Sequence, residues 1–186
     1  MATQVQLSIP YSSLELKQIH EQDKDALWIL IDTERDYLRK YLNWIDNTRT
    51  LDDVSTFIKN CTQQTDRLKG ITFLIWEENQ IIGSVALYDW QHDVKLIHLG
   101  YWVSKAATRR GIATVASTRL LRYAFDDLDM LKVELYFVPE NIASERVADK
   151  LRFKIEGFVR QSFFLNGIIK DQYLAGLLKA EFLYQL

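Results

Sequence analysis

The stretch Leu99-Gly-Tyr-Trp-Val-Ser-Lys-Ala-Ala-Thr-Arg-Arg-Gly-Ile-Ala-Thr-Val-Ala-Ser-Thr-Arg-Leu-Leu-Arg-Tyr-Ala-Phe-Asp-Asp127 decides the fold. Just before and into it, Leu96, His98, Gly100 and Trp102 alternate with Ile97, Leu99, Tyr101 and Val103. That two-residue period predicts a strand. Gly111 then interrupts the chain, and Ala113, Ala116, Leu120 and Ala124 recur at helical spacing. The loop between, Thr108-Arg-Arg-Gly-Ile-Ala113, has a physical use. A helix N-terminus leaves several backbone N–H groups unpaired and carries partial positive charge. Glycine lets the backbone approach a ligand closely, and two arginines add charge and forked donors. Together Arg109, Arg110, Gly111, Ile112, Ala113 and Thr114 can cradle a pyrophosphate. The same spacing also describes an ordinary strand-to-helix connection with solvated arginines. No Gly-Lys-Ser/Thr or Gly-x-Gly-x-x-Gly run occurs, so neither common nucleotide loop is present.

Length and composition bound the rest. A chain of 186 residues predicts a single domain over residues 1–186 with a sufficient core. At 48% hydrophobic and 26% charged it reads as a soluble globular protein. One cysteine, Cys61, excludes an internal disulfide and suits a reducing, cytoplasmic compartment; its ordinary role is that of a small apolar side chain. His20, His92 and His98 stand apart and no second cysteine exists, so no metal site is expected. No signal pattern or membrane-spanning run is seen, and a net charge of −2 argues against nucleic-acid binding.

Along the chain, residues 5–9 and 14–19 read as extended pieces around Pro10. Helices are expected from Asp23, over residues 35–44, and from Leu51, the last capped by Thr50 with Asp53 three residues on. Residues 71–76 and 81–88 read as a β-hairpin, and Asp89 to Asp93 as a second turn. A strand at 131–137 ends at Pro139, a helix starts at Asn141, and residues 153–164 and 168–178 pair across Asn166-Gly167. The expected architecture is a mixed α/β domain, a mainly antiparallel twisted sheet with helices on both faces.

Several of these segments resemble a known family in the right order. Gly100-Tyr-Trp-Val with Arg110-Gly-Ile-Ala is similar to the acetyl-CoA motif of the GNAT superfamily of N-acetyltransferases. Asn141-Ile-Ala-Ser-Glu-Arg-Val-Ala-Asp-Lys-Leu-Arg-Phe153 resembles its second motif. Leu42-Asn-Trp44, Phe164-Leu-Asn-Gly167 and Asp171 resemble the subfamily that acetylates ribosomal-protein N-termini.

The resemblance implies a GNAT fold, acetyl-CoA as co-substrate, and an amine acceptor. It implies Trp102 and Val103 as pantetheine and oxyanion contacts, and Asn141 and Ser144 as cofactor contacts. It implies Ser144 as the donor to the departing thiolate; without the resemblance, the residue reads as a first-turn helix serine bonded to water. Trp44 and Asp171 are placed by it in the acceptor cleft, where Asp171 is an anchor or a substitute base. The chain departs from the pattern at the base. The subfamily glutamate before Phe-Leu-Asn is Phe163 here, and the glutamate two residues before Gly-Tyr-Trp is His98. Histidine transfers protons near neutral pH, so His98 is the candidate base, directly or through water; as a strand histidine it can equally be a packed, hydrogen-bonded side chain. Thr108 replaces the usual Gln or Arg, and Arg152 stands where glycine would close a helix in the left-handed conformation. Three functions are compatible with these residues. They are acetylation of a protein N-terminus, acetylation of a small amine such as a polyamine, amino acid or drug, and non-catalytic acetyl-CoA sensing. The oligomeric state is open, a homodimer included.

Overall fold

Strand alternation sorts the apolar side chains onto two faces that both need covering. In Ile71–Glu77 (β3), Phe73 and Ile75 join one buried cluster while Leu74 joins another. A strand buried on both sides belongs at the centre of a layered sheet. The computed structural model describes residues 5–10 and 13–182. Gln6–Ser8 (β1), Leu14–Gln18 (β2), β3 and Gln80–Gln91 (β4) form an antiparallel meander. Leu96–Val103 (β5) follows antiparallel to β4. Lys132–Phe137 (β6), Lys154–Leu165 (β7) and Ile168–Leu178 (β8) complete an eight-stranded sheet of order β1-β2-β3-β4-β5-β6-β8-β7.

Helices cover both faces, as the periodicity predicts. Lys24–Thr33 (α1) places Leu27 and Ile31 one turn apart. Arg35–Leu38 (α2) follows, and Leu51–Asp66 (α3) lays Val54, Ile58 and Cys61 beside Leu74 and Ile81. On the other face Ile112–Arg122 (α4) buries Ile112, Ala116 and Leu120 against Ile97, Leu99 and Val133. Ile142–Lys150 (α5) adds Ala148, and Lys179–Phe182 (α6) adds Phe182. Thr50 and Asp53 form the expected reciprocal capping box. Cys61 is a buried thiol, its ionisation pushed up by burial. Among the described residues no helix is long and apolar enough to cross a membrane.

Three expectations need correction or refinement. Residues 35–44 do not form one helix: α2 ends at Leu38 and the chain doubles back through a 3-10 turn at Asn43–Asn47. Arg35 donates to the Ile45 carbonyl at 2.9 Å and Arg39 pairs with Asp46 at 3.1 Å, so side chains satisfy the returning segment. The turn expected at Asp89 to Asp93 comes later, at residues 92–95, so of the expected span only His92 and Asp93 lie in it. β4 runs on to Gln91 through a bulge, with Asp89 left-handed at φ 53° and Trp90 N–H donating to Lys69 O. A short polar residue tolerates that conformation, and the packed Trp90 keeps the strand going.

Arg152 does close α5 as a glycine would. Its φ is 60°, and Phe153 N–H reaches back to Ala148 O at 2.9 Å. A side chain there is strained by about 1 kcal/mol. Arg152→Gly is therefore expected to raise the denaturant midpoint by up to about 1 kcal/mol of stability, while Arg152→Ala does not. Equal midpoints for the two variants in urea melts overturn the strain account.

Candidate active site

β5 and β6 run parallel and pair only at Leu96↔Lys132, Ile97↔Val133 and His98↔Glu134. Beyond that point β5 stays with β4 as far as Val103↔Gly83, and β6 stays with β8 as far as Phe137↔Tyr173. The backbone of residues 99–103 therefore has a strand on one side only. Trp102 and Val103 lie on this opened edge, as does Tyr101.

The basic loop follows directly. Thr108 Oγ1 donates to Lys105 O at 2.7 Å, so the hydroxyl serves the loop itself. Arg109 and Gly111 are both left-handed, at φ 62° and 78°. A Cβ at Gly111 would meet nothing within 4 Å, so the glycine answers backbone conformation in open space. Residues 108–111 form a turn, yet among the described residues no main-chain hydrogen bond of good geometry starts from the N–H groups of residues 109–114. A run of donors at the positive end of α4 suits an anion. The two arginines differ. Arg110 grips Glu77 through both guanidinium nitrogens, at 2.9 and 2.6 Å, and holds that carboxyl below its ordinary range. Arg109 is exposed and makes no ion pair among the described residues. A cleft of about 340 Å³ beside the loop is lined by Ile9, Pro10, Leu14, Glu77, Arg110, Ile112 and Val115.

Ser144 sits in the first turn of α5, buried at 8% exposure, with Asn141 capping its N–H at 3.2 Å. Its Oγ lies 2.8 Å from the Tyr101 hydroxyl, across the gap between the strands. Tyr101 was not among the sequence candidates. It lies 43 residues away, and only the alternation of β5 hints that it faces α5. Burial pushes the Tyr101 phenol up to about 12, with the Ser144 hydrogen bond opposing, so it is a proton donor at neutral pH.

On the opposite face of β5 lies His98, its side chain 12% exposed. Its ring stands edge-on to Tyr88 and Tyr136, each with centroids 5.4 Å away. Nε2 is 3.3 Å from Glu134 and Nδ1 is 3.8 Å from Asp89. Trp102 points to this same face, 6.2 Å from Trp44, which stacks on Phe57 at 5.6 Å. The structure thus gathers Trp44 with Trp102, and Ser144 with Asn141, but sets His98 and Ser144 on opposite sides of the sheet. Asp171 is committed in part: Oδ1 accepts from Gln161 N–H at 2.7 Å and holds a bulge in β7. Across the opening, Tyr41 O–H donates to Glu140 O and Asn166 donates to Arg39 O, tying the helical region to the far strands.

Comparisons with known proteins agree with this fold. The family model of the acetyltransferase (GNAT) domain matches residues 13–154. YdaF of Bacillus subtilis, named for a proposed ribosomal N-acetyltransferase activity, is 27% identical and covers 90% of this chain and 92% of its own. A ribosomal-protein-serine acetyltransferase of Escherichia coli is 24% identical over 86% of this chain and 89% of its own. The solved structure of RimL, a ribosomal L7/L12 alpha-N-protein acetyltransferase in complex with coenzyme A, superposes with a TM-score of 0.89 at 21% identity. It covers 94% of this chain and 98% of that one.

Two buried phenols give a pH dependence. Tyr88 is also pushed up to about 12, by burial first and by the Asp89 charge second. Folded values above the unfolded value near 10 mean a stabilisation that is complete below about pH 10 and is lost as pH rises toward 12. Ultraviolet titration is expected to show the phenolates of Tyr88 and Tyr101 forming last, and Tyr101→Phe to remove one of them. If every tyrosine ionises near 10, the burial argument fails.

Proposed function

Because the chain belongs to the GNAT acetyltransferase family, we propose that it moves the acetyl group of acetyl-CoA to the α-amino group of a protein N-terminus of the ribosomal-protein type. The reading rests on one observation above all: the unpaired amides of residues 109–114 lie beside the parted strands. The donor set suits a diphosphate, since it is backbone N–H, a helix N-terminus and a free guanidinium. Full-length relatives named for ribosomal-protein acetylation support the acceptor class.

The amides of Arg110, Gly111, Ile112, Ala113 and Thr114 hold the diphosphate, and Arg109 adds its charge. Arg110, held by Glu77, fixes the loop more than it contacts the ligand. The open edge offers the main-chain groups of Tyr101 and Val103 to the pantetheine amides, those of Trp102 being turned to Ser84 on β4, and the Val103 amide faces the carbonyl oxygen. Bound acetyl-CoA supplies the thioester whose acyl carbon the amine attacks. Tyr101 and Ser144 share a hydrogen bond in which either hydroxyl can donate, and with Tyr101 as the donor the Ser144 proton is free to meet the thiolate. Asn141 holds the turn that presents Ser144. The acceptor enters between Trp44, Phe57 and Trp102, with Asp171 at the far strands, and His98 takes its proton. An α-amino group, ordinarily near 8, needs only a weak base. A lone buried thiol accords with a reducing, cytoplasmic setting.

Calorimetry with coenzyme A separates the two arginines. Arg109→Ala is expected to weaken binding about tenfold, and Arg110→Ala by less. No heat of association with folded wild-type protein overturns the reading. Release of free thiol from acetyl-CoA should be faster with peptides bearing a free N-terminus than with spermidine; the reverse order makes the acceptor a small amine.

A further inference from the structure

We infer that Glu134 is the positioning residue of the base: it fixes the tautomer of His98 and stabilises the imidazolium formed when His98 accepts the acceptor's proton. The inference rests on His98 as base and deepens that assignment.

The two residues form the last register pair before β5 and β6 part, so they meet where the acyl group must be reached. Glu134 is buried at 7% exposure, and a buried carboxylate needs partners. Its two oxygens are divided between the His98 ring and the Lys132 ammonium. Oε2 lies 3.3 Å from His98 Nε2, and Oε1 accepts from Lys132 Nζ at 2.7 Å. Lys132 in turn reaches Glu156 on β7 at 2.5 Å. That reach crosses β8 at Gly176, where a Cβ would lie 2.4 Å from the Glu156 carboxylate. Gly176 is the β8 partner of Glu134, so the row is laid straight across the sheet. Burial draws the Lys132 ammonium down, and hydrogen bonds and charge from Glu134 and Glu156 raise it by more. The lysine therefore stays charged and keeps Glu134 an acceptor.

Both ring nitrogens face carboxylates, which when ionised can only accept, and Glu134 at 3.3 Å is nearer than Asp89 at 3.8 Å, so neutral His98 favours its proton on Nε2. Nδ1 is then the lone-pair nitrogen, and it faces Asp89, whose side chain is 76% exposed. The acceptor's ammonium approaches from that open side. Its proton passes to Nδ1, the amine keeps the electron pair with which it attacks, and the imidazolium lies between two carboxylates. Tyr88 and Tyr136 flank the ring from β4 and β6 and fix its plane.

The test uses the whole 186-residue chain, acetyl-CoA and a synthetic peptide with a free N-terminal serine. Glu134→Gln keeps the shape but offers an N–H to Nε2, which favours the wrong tautomer. We expect kcat to fall about tenfold or more with the KM for acetyl-CoA unchanged, and the acid limb of the rate profile to move to lower pH. Glu134→Asp is expected to recover part of the rate. Nitrogen-15 spectra, with the His98 signal assigned through His98→Gln, should show the Nε2–H tautomer in the wild type and its loss in Glu134→Gln. If His98→Gln slows the reaction but Glu134→Gln matches wild type in rate, profile and tautomer, Glu134 has no such role and the base stands. If His98→Gln keeps full rate and an unchanged profile, the base assignment itself falls.

Discussion

The site depends on two parallel strands that stop pairing. β5 and β6 share three register pairs and then separate in the middle of an eight-stranded sheet. Unpaired main-chain groups in such a place cost about 1–3 kcal/mol each when buried. The opening persists because each strand is held along its other edge. β4 pairs β5 as far as Val103, and β8 pairs β6 as far as Phe137. Contacts also tie the two sides together, Tyr101 to Ser144 beneath and Tyr41 to Glu140 above. A pantetheine arm, with its own amides, can take the place of the missing strand.

The parted sheet also divides the chemistry. His98, with Trp102 and Trp44, belongs to the face covered by α1 and α3. Tyr101 and Ser144 belong to the face covered by α4 and α5. In the proposed reaction one proton is removed on the first face and another is supplied on the second. The two groups never compete for the same proton, and each keeps its own partners. Glu134 and Asp89 flank His98, and the Tyr101 phenol meets Ser144.

Much of this was legible in the sequence, and the limits have physical causes. Strand alternation around Phe73 and Ile97, the Thr50–Asp53 cap and the Asn166-Gly167 turn are local signals, and the structure follows them. Residues 35–44 misled because long helix-forming side chains were read as helix, whereas Arg35 and Arg39 satisfy a returning loop. Asp89 resembled a turn because a bulge uses the same left-handed conformation. Tyr101 and Glu134 were missed for a common reason. Each acquires its meaning from a residue 36 or more positions distant, Ser144 at 43 and His98 through strand register, and no local pattern carries such pairings.

The loop itself shows why charge prevails over backbone ease. Arg109 and Gly111 both adopt positive φ, yet only one is glycine. Glycine at both would relieve about 1 kcal/mol of strain at position 109. It would also remove the only guanidinium of the pair not bound to Glu77. A loop that only turned the chain would favour glycine at that position. If, as proposed, the loop meets the diphosphate with Arg110 already occupied, a cation is needed there, and the strained arginine is the arrangement that supplies it.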